Sequence, residues 1–262
     1  MVTLKPSESY VRKLVEEKVR IDGRNFDQFR EIKIETGVIE NAEGSARVRI
    51  GNTMVIAGIK ADVHEPYPDT PNEGFIVVDC EMVPFASPEY EPGPPSPESV
   101  ELARVVDRGI RESGSINTEK LCLIPGELVW GIHIDLHVLD NDGNLIDAAA
   151  LAAIAALLTA KLPLYDPDTK KAVYGKHGEK LPMKDRPVEV TIGKIGTTLM
   201  IDTNAEEEAA LDARITIATN EDGNICAIQK GGNGYFTTNE LEAAVDLAIA
   251  KGAELRAMLP SL

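Results

Sequence analysis

The chain has 262 residues, 43% of them apolar, and a formal net charge of −16 at pH 7. That length supports one large domain or two of ordinary size with a sizeable core, and the acidic surplus excludes a polyanion binder that works by bulk electrostatics. No apolar run reaches the about 18 residues that a membrane span needs, and Met1–Tyr10 lacks the apolar centre of a secretory leader, so a cytoplasmic chain without membrane contact is expected.

Cys80, Cys122 and Cys226 lie far apart with no C-x-x-C spacing, which predicts buried free thiols rather than a metal or disulfide framework, and no cofactor. Charge is unevenly spread. Residues 1–30 carry seven basic groups, among them Arg12, Arg20, Arg24 and Arg30, against five acidic ones, a net of +2 that leaves −18 for the remainder.

In chain order, Ser7 caps a short helix running to about Val19, and Ile21-Asp22-Gly23-Arg24 breaks it. Apolar alternation predicts strands at Ile32–Thr36, Ala46–Ile50, Thr53–Ile59 and Phe75–Val83 in a mostly antiparallel sheet. Pro84 to Pro97 is a proline-rich loop, after which Ser96-Pro97-Glu98 supplies an N-cap, an N1 proline and a first-turn acid for a helix to about Arg111. Glu127–Leu139 reads as a strand with Leu128, Trp130, Ile132, Ile134, Leu136 and Val138 on one face and His133, Asp135 and His137 on the other. The alanine-rich helix Leu145–Ala160 is apolar nearly all round and should be buried between layers.

Residues 163–187, with four prolines and many charges, read as a linker or excursion. Beyond it, Val188–Lys194, Thr197–Asp202, Ala213–Thr219 and Ile225–Lys230 read as strands, and Thr237-Thr238 caps a last helix, Glu240–Met258. The expected class is α+β: an N-terminal helix and arm (1–30), then two α/β subdomains, 31–162 and 188–262, sharing one sheet system.

The turn Leu139-Asp140-Asn141-Asp142-Gly143-Asn144 leads from a strand into a helix, where backbone N–H groups and the helix dipole favour an anion. Its chemistry opposes one. The turn and first helical turn carry Asp140, Asp142 and Asp147, and the helix opens on Leu145 and Ile146.

Val19-Arg20-Ile21-Asp22-Gly23-Arg24, the 138–150 strand-turn-helix, and Asp202…Asp212 ahead of a strand, in that order, resemble the ribonuclease PH family over nearly the whole chain. The resemblance implies the ribonuclease PH fold, two subdomains like domain 2 of ribosomal protein S5. Catalytic members are phosphorolytic exoribonucleases that release the 3′-terminal nucleotide of RNA as a nucleoside diphosphate. Their phosphate turn resembles L-Q-A-D-G-G-[ST]-R-T-A-A, which places the phosphate-binding hydroxyl on Leu145 and the phosphate-binding arginine on Ile146. An apolar pair can neither hydrogen-bond nor neutralise a dianion.

Within the family the chain is most similar to the non-catalytic ring subunits of archaeal exosomes. That resemblance implies a hexameric ring, a trimer of heterodimers with a catalytic ribonuclease PH-like subunit, and it implies S1/KH-type RNA-binding cap proteins and single-stranded RNA as further partners. It also implies that Arg104 and Arg108, in Glu101-Leu102-Ala103-Arg104-Val105-Val106-Asp107-Arg108, hold RNA near the sister subunit's catalytic centre. On a helical wheel of roughly 100° per residue, Arg104, Arg108 and Arg111 fall within a stripe about 60° wide, opposite Leu102, Val105, Val106, Gly109 and Ile110. Arg111 is thus the third candidate RNA contact. A solvated surface helix is the plainer account of the same stripe.

The alternative function is a phosphorolytic or Mg-dependent 3′–5′ exoribonuclease using Asp202, Asp212 and Glu206 or Glu208. Solvated acids on a short turn capped by Thr203-Asn204-Ala205-Glu206 are the plainer reading. His133, Asp135 and His137 alternate on one strand face about 7 Å apart, too far to share one ion, so no metal site is expected there and a polar sheet face or subunit interface is. Gly231-Gly232-Asn233-Gly234 reads as a Gly-rich connection, and Arg20 or Arg24 as an anchor for the N-terminal segment.

Overall fold

The computed structural model describes residues 7–262. Helix α1 (Glu8–Glu16) is capped by the Ser7 hydroxyl and buries Val11 and Val15. Strands β1 (Ile32–Thr36), β2 (Gly44–Ile50), β3 (Thr53–His64), β4 (Phe75–Met82), the short β5 (Cys122–Ile124) and β6 (Leu128–Asp140) form one sheet in the order β1-β2-β3-β6-β4, with β5 beside β6. The chain passes from β4 to β6 through α2 (Pro97–Glu112), and β4 pairs with β6 in parallel, as a crossover connection permits. The other pairings in this sheet are antiparallel.

Helix α3 (Leu145–Thr159) has 13 buried residues out of 15, since it is covered by the six-stranded sheet on one side and by the C-terminal strands on the other. Each fully buried Leu or Ile there contributes about 1.5–3 kcal/mol of hydrophobic stabilisation. Residues 163–187, expected to be a linker or excursion, are largely a β-hairpin of β7 (Lys161–Asp166) and β8 (Lys171–Lys180), with the Lys60 ammonium 4.5 Å from the Tyr174 ring centroid.

The C-terminal strands β9 (Val188–Ile195), β10 (Thr198–Ile201), β11 (Ala213–Thr219) and β12 (Ile225–Gly231) make a separate antiparallel sheet, order β10-β9-β11-β12. The two subdomains therefore do not share a sheet system; they meet through α2 and α3. Between β10 and β11 lies α4 (Ala205–Ala209), capped by Asn204, with Glu207 completing a capping box. Helix α5 (Thr238–Arg256) packs on β9 and β11, its Gly252 against Val188 and Thr219. No helix among the described residues is long and apolar enough to cross a membrane.

Candidate nucleic-acid interface

The turn between β6 and α3 is held in a left-handed path, with Gly143 at φ +77° and Asn144 at φ +58°. A Cβ on Gly143 would lie 2.5 Å from the Thr203 carbonyl oxygen, so this position needs glycine for both conformation and space. Thr53 donates from its hydroxyl to the Gly143 carbonyl (2.6 Å) and accepts from Asp142 N–H (3.1 Å). At the mouth of α3, where an anion would bind, Asn144 N–H donates to Glu208 Oε1 at 2.7 Å. The protein's own carboxylate takes the place of a phosphate oxygen.

Leu145 and Ile146 occupy the first helical positions and line a cleft of about 280 Å³ with Glu89, Glu98, Glu101 and Glu208 on its walls. Among the described residues its one cationic side chain, Arg214, is paired with Glu101 at 2.9 Å. A cleft with this balance of charge repels a dianion.

The carboxylates of the Asp202…Asp212 segment divide: Asp202 and Glu207 are buried, Glu206 and Asp212 half-buried, and Glu208 exposed. Asp202 is fully buried. Its Oδ2 accepts from Arg24 Nη1 (2.8 Å), Arg30 N (2.6 Å) and Arg30 Nε (3.0 Å), and its Oδ1 from Arg30 Nη2 (2.7 Å) and Asn144 Nδ2 (2.9 Å). Burial alone would raise its pKa, but the hydrogen bonds and charges of Arg30 and Arg24 hold it below the usual carboxylate range. Arg30 also donates to the Asp142 carbonyl at 2.7 Å, tying the arm directly to the turn.

Next to this hub, Arg20 is fully buried and forks onto Glu207, with Nε 2.9 Å from Oε1, while donating to the carbonyls of Ile201 (3.1 Å) and Asp202 (2.8 Å). Both Arg20 and Arg24 thus anchor the N-terminal segment. Asp212 faces α1 instead, accepting from Arg12 Nη2 (2.9 Å) and Gly196 N–H (2.7 Å), contacts that hold its carboxyl below its ordinary value. Glu206 is half-buried on α4, and Glu208 is the member of the segment that lines the cleft.

Behind the cleft, the seam between the subdomains holds two further buried acids. Asp147 accepts from Thr191 N–H at 3.1 Å, and burial pushes its pKa up to about 7. Burial, reinforced by repulsion from Asp147 and partly offset by Arg108, pushes Glu189 to about 8. Among the described residues Asp147 Oδ1, Glu189 Oε2 and Asn144 Oδ1 have no hydrogen-bond partner. Protonated acids turn acceptors into donors, which relieves such orphaned oxygens. The Glu189 carboxylate nestles against Gly109 of α2, where a Cβ would stand 2.2 Å from Oε1.

Helix α2 begins at the Ser96 cap and buries Leu102, Val105, Val106, Gly109 and Ile110, the face opposite its arginines. The arginines themselves diverge. Arg104 is exposed, and among the described residues no hydrogen bond or ion pair holds it. Arg108 is half-buried and donates to the Ile228 carbonyl of β12 at 2.6 Å. With Val100, Glu101 and Gln229 these two line a hollow of about 270 Å³. Arg111 turns the other way, bound to Asp107 (2.6 Å) and to the Ile76 carbonyl of β4 (2.9 Å). The ridge predicted from the helical wheel is therefore split, with Arg104 and Arg108 on one hollow and Arg111 fastened outside it.

His137 lies 3.4 Å from the Glu81 carboxylate, whereas His133 meets His64 of β3. In the Gly-rich connection, Lys230 Nζ folds back onto the Gly232 carbonyl (2.5 Å) and Gly234 N–H bonds the Asp212 carbonyl (2.7 Å), so its glycines serve close backbone packing. Two features escape a sequence reading: the Glu208 carboxylate at the mouth of α3 and the role of Arg30. Both depend on contacts across more than 60 residues, and no local pattern marks them.

Family models for the 3′ exoribonuclease family match residues 28–163 (domain 1) and 185–251 (domain 2). The chain is 51% identical over 248 residues to exosome complex component Rrp42 of Thermococcus gammatolerans, covering 94% of this chain and 91% of that protein. It is 47% identical over 260 residues to exosome complex component Rrp42 of Methanosarcina mazei, covering 98% and 94%. A chain of the Archaeoglobus fulgidus exosome with RNA bound to the active site superposes with a TM-score of 0.87 at 44% identity, covering 95% of this chain and 96% of that one. A chain of an archaeal exosome core gives 0.83 at 42% identity, covering 95% and 94%. A two-subdomain α+β fold that both family models span, with full-length relatives near 50% identity, places this chain in the 3′ exoribonuclease family, the ribonuclease PH family, beside its archaeal exosome components.

Proposed function

We propose that the chain is a non-catalytic ring subunit of an archaeal exosome, a 3′-to-5′ RNA-degrading complex, and that it binds RNA for a catalytic sister subunit. The observation that carries this reading is the turn before α3. Leu145 and Ile146 stand where a phosphorolytic enzyme needs a hydroxyl and an arginine, and Glu208 fills the anion position. Without bound phosphate there is no nucleophile for phosphorolysis. The carboxylates of the alternative, enzymatic reading are committed elsewhere, Asp202 to Arg24 and Arg30 and Asp212 to Arg12.

The chain's contribution to RNA is local. On a protein of net charge −16, Arg104 and Arg108 lie together on one hollow, and Arg104 is free to meet a phosphodiester. Guanidinium groups bond two phosphate oxygens at once. The sister subunit, carrying the Ser/Thr-Arg turn that this chain lacks, supplies the phosphate site. Three such pairs close a hexameric ring to which S1/KH-type caps bring single-stranded RNA in the cytoplasm.

The test is reconstitution of the pair with Arg104→Glu and Arg108→Glu. RNA retention and degradation should both fall. Unchanged affinity and unchanged degradation would leave this chain as a scaffold without RNA contact.

A further inference from the structure

The outer face of the six-stranded sheet brings together two histidines that lie far apart in sequence. His64 and His133 are not direct cross-strand neighbours: His64 opposes Val129, and His133 opposes Lys60. Their rings lean towards each other along the strands and meet with Nε2 atoms 3.4 Å apart. Gly131 makes this possible, since a Cβ there would stand 2.7 Å from His64 Cδ2.

That separation is at the long end for a hydrogen bond between two ring nitrogens. It matches two nitrogens on one tetrahedral ion, which at about 2.0–2.1 Å from zinc stand about 3.3–3.4 Å apart. Lys60, opposite His133, is drawn away to Glu43 Oε1 (2.9 Å) and the Asn41 carbonyl (3.2 Å). Phe75 walls the pair, its ring centroid 5.3 Å from His64 and 6.4 Å from His133, and Tyr67 packs on Phe75 at 5.1 Å. Asp62 lies opposite Gly131, between the two histidine positions.

We propose that His64 and His133 form a two-histidine site for a tetrahedral divalent ion of the zinc class. Each ring would coordinate through Nε2 and carry its proton on Nδ1, leaving the remaining positions to water or to a ligand from a neighbouring molecule. A bound ion would add a link between the side chains of β3 and β6 on the outer face of the sheet. This site is independent of the RNA contact and of the altered phosphate turn.

The test is titration of the purified full chain with Zn²⁺ alone by calorimetry, and with Co²⁺ by its visible absorption. The expected result is one ion per chain, with affinity reduced tenfold or more by His64→Gln or His133→Gln and retained in His137→Gln. Far-ultraviolet circular dichroism and the melting temperature check that each variant is folded. A variant that misfolds is replaced by His64→Asn or His133→Asn. No saturable binding, affinity in the His64 and His133 variants unchanged from the unsubstituted chain, or a Co²⁺ spectrum lost instead with Cys122→Ser or Cys226→Ser would overturn the proposal.

Discussion

Replacing Glu207 with alanine should strongly destabilise the chain while leaving the cleft's surface unchanged. Both side chains of the Arg20–Glu207 pair are fully buried. Removing the carboxylate strands a guanidinium whose remaining partners are the neutral backbone carbonyls of Asn25, Gln28, Ile201 and Asp202. Breaking a buried pair from one side costs about 3–5 kcal/mol, because the other charge stays desolvated. For a chain of this size each kcal/mol lowers the melting temperature by about 2–4 °C, so a fall of about 6–20 °C is expected. Part of the loss is the α4 cap, since Glu207 Oε2 accepts from Asn204 N–H at 3.1 Å. Glu207→Gln keeps an acceptor there and separates the two contributions. The double variant Arg20→Met/Glu207→Leu removes both charges and should recover much of the loss, which a double-mutant cycle by calorimetry and urea unfolding measures. A single-variant cost below about 1 kcal/mol, or a double variant as unstable as either single one, would refute the view that this pair bolts the N-terminal arm to the C-terminal subdomain.

Stability should also decline on the alkaline side. Asp147 and Glu189 titrate near 7 and 8 in the folded chain, above their ordinary values of 3.8 and 4.5. Such raised groups stabilise fully below their unfolded pKa, and that contribution is lost as pH rises through the folded value. Melting temperatures should therefore fall from pH 5 to pH 9, and Asp147→Asn or Glu189→Gln should flatten the slope; an unchanged slope contradicts the assignment. Asp202 has the opposite sign, its depressed pKa giving stability that is lost as pH falls through its folded value. In the reconstituted pair, Arg104→Ala should weaken RNA binding and lower the slope of log K against log salt by about 0.7 if it meets one phosphate. Arg111→Ala, already satisfied by Asp107 and Ile76, should leave RNA retention unchanged, as a filter-binding titration would show. Gly143→Ala combines a left-handed backbone with a clash against Thr203 and should cost on the order of 1–3 kcal/mol in urea unfolding.

The sequence made the local architecture readable where a residue's task is local. Ser7, Ser96 and Thr237 cap the helices expected of them, and alternation located β1, β6 and β11 to within a residue or two. The parallel β4–β6 pairing and the separate C-terminal sheet were missed, because alternation reports which face is buried and not which strand lies beside it. The strands of the β7–β8 hairpin do not stand out within the expected linker or excursion for a similar reason: β8 is exposed along most of its length, so no buried face marks it.

At the site, the missing hydroxyl and arginine at Leu145 and Ile146 were visible by comparison with a motif. The carboxylate that replaces the anion was not. Glu208 comes from 64 residues downstream, and the arm residue Arg30 reaches Asp202 across 172. The helical wheel placed the three arginines on one face correctly, but the length of an arginine side chain let Asp107 and Ile76 draw Arg111 aside while Arg108 reached β12.

The most direct measurement is phosphate-dependent release of nucleoside diphosphates from 3′-ended RNA, with Mg²⁺ present, by the purified chain alone and by the chain paired with a catalytic ribonuclease PH-like subunit. No release is expected from the chain alone and sustained release from the pair, with Asp212→Asn in this chain leaving the pair's chemical step unaffected. Robust release from the chain alone, abolished by Asp202→Asn or Asp212→Asn, would contradict the non-catalytic reading.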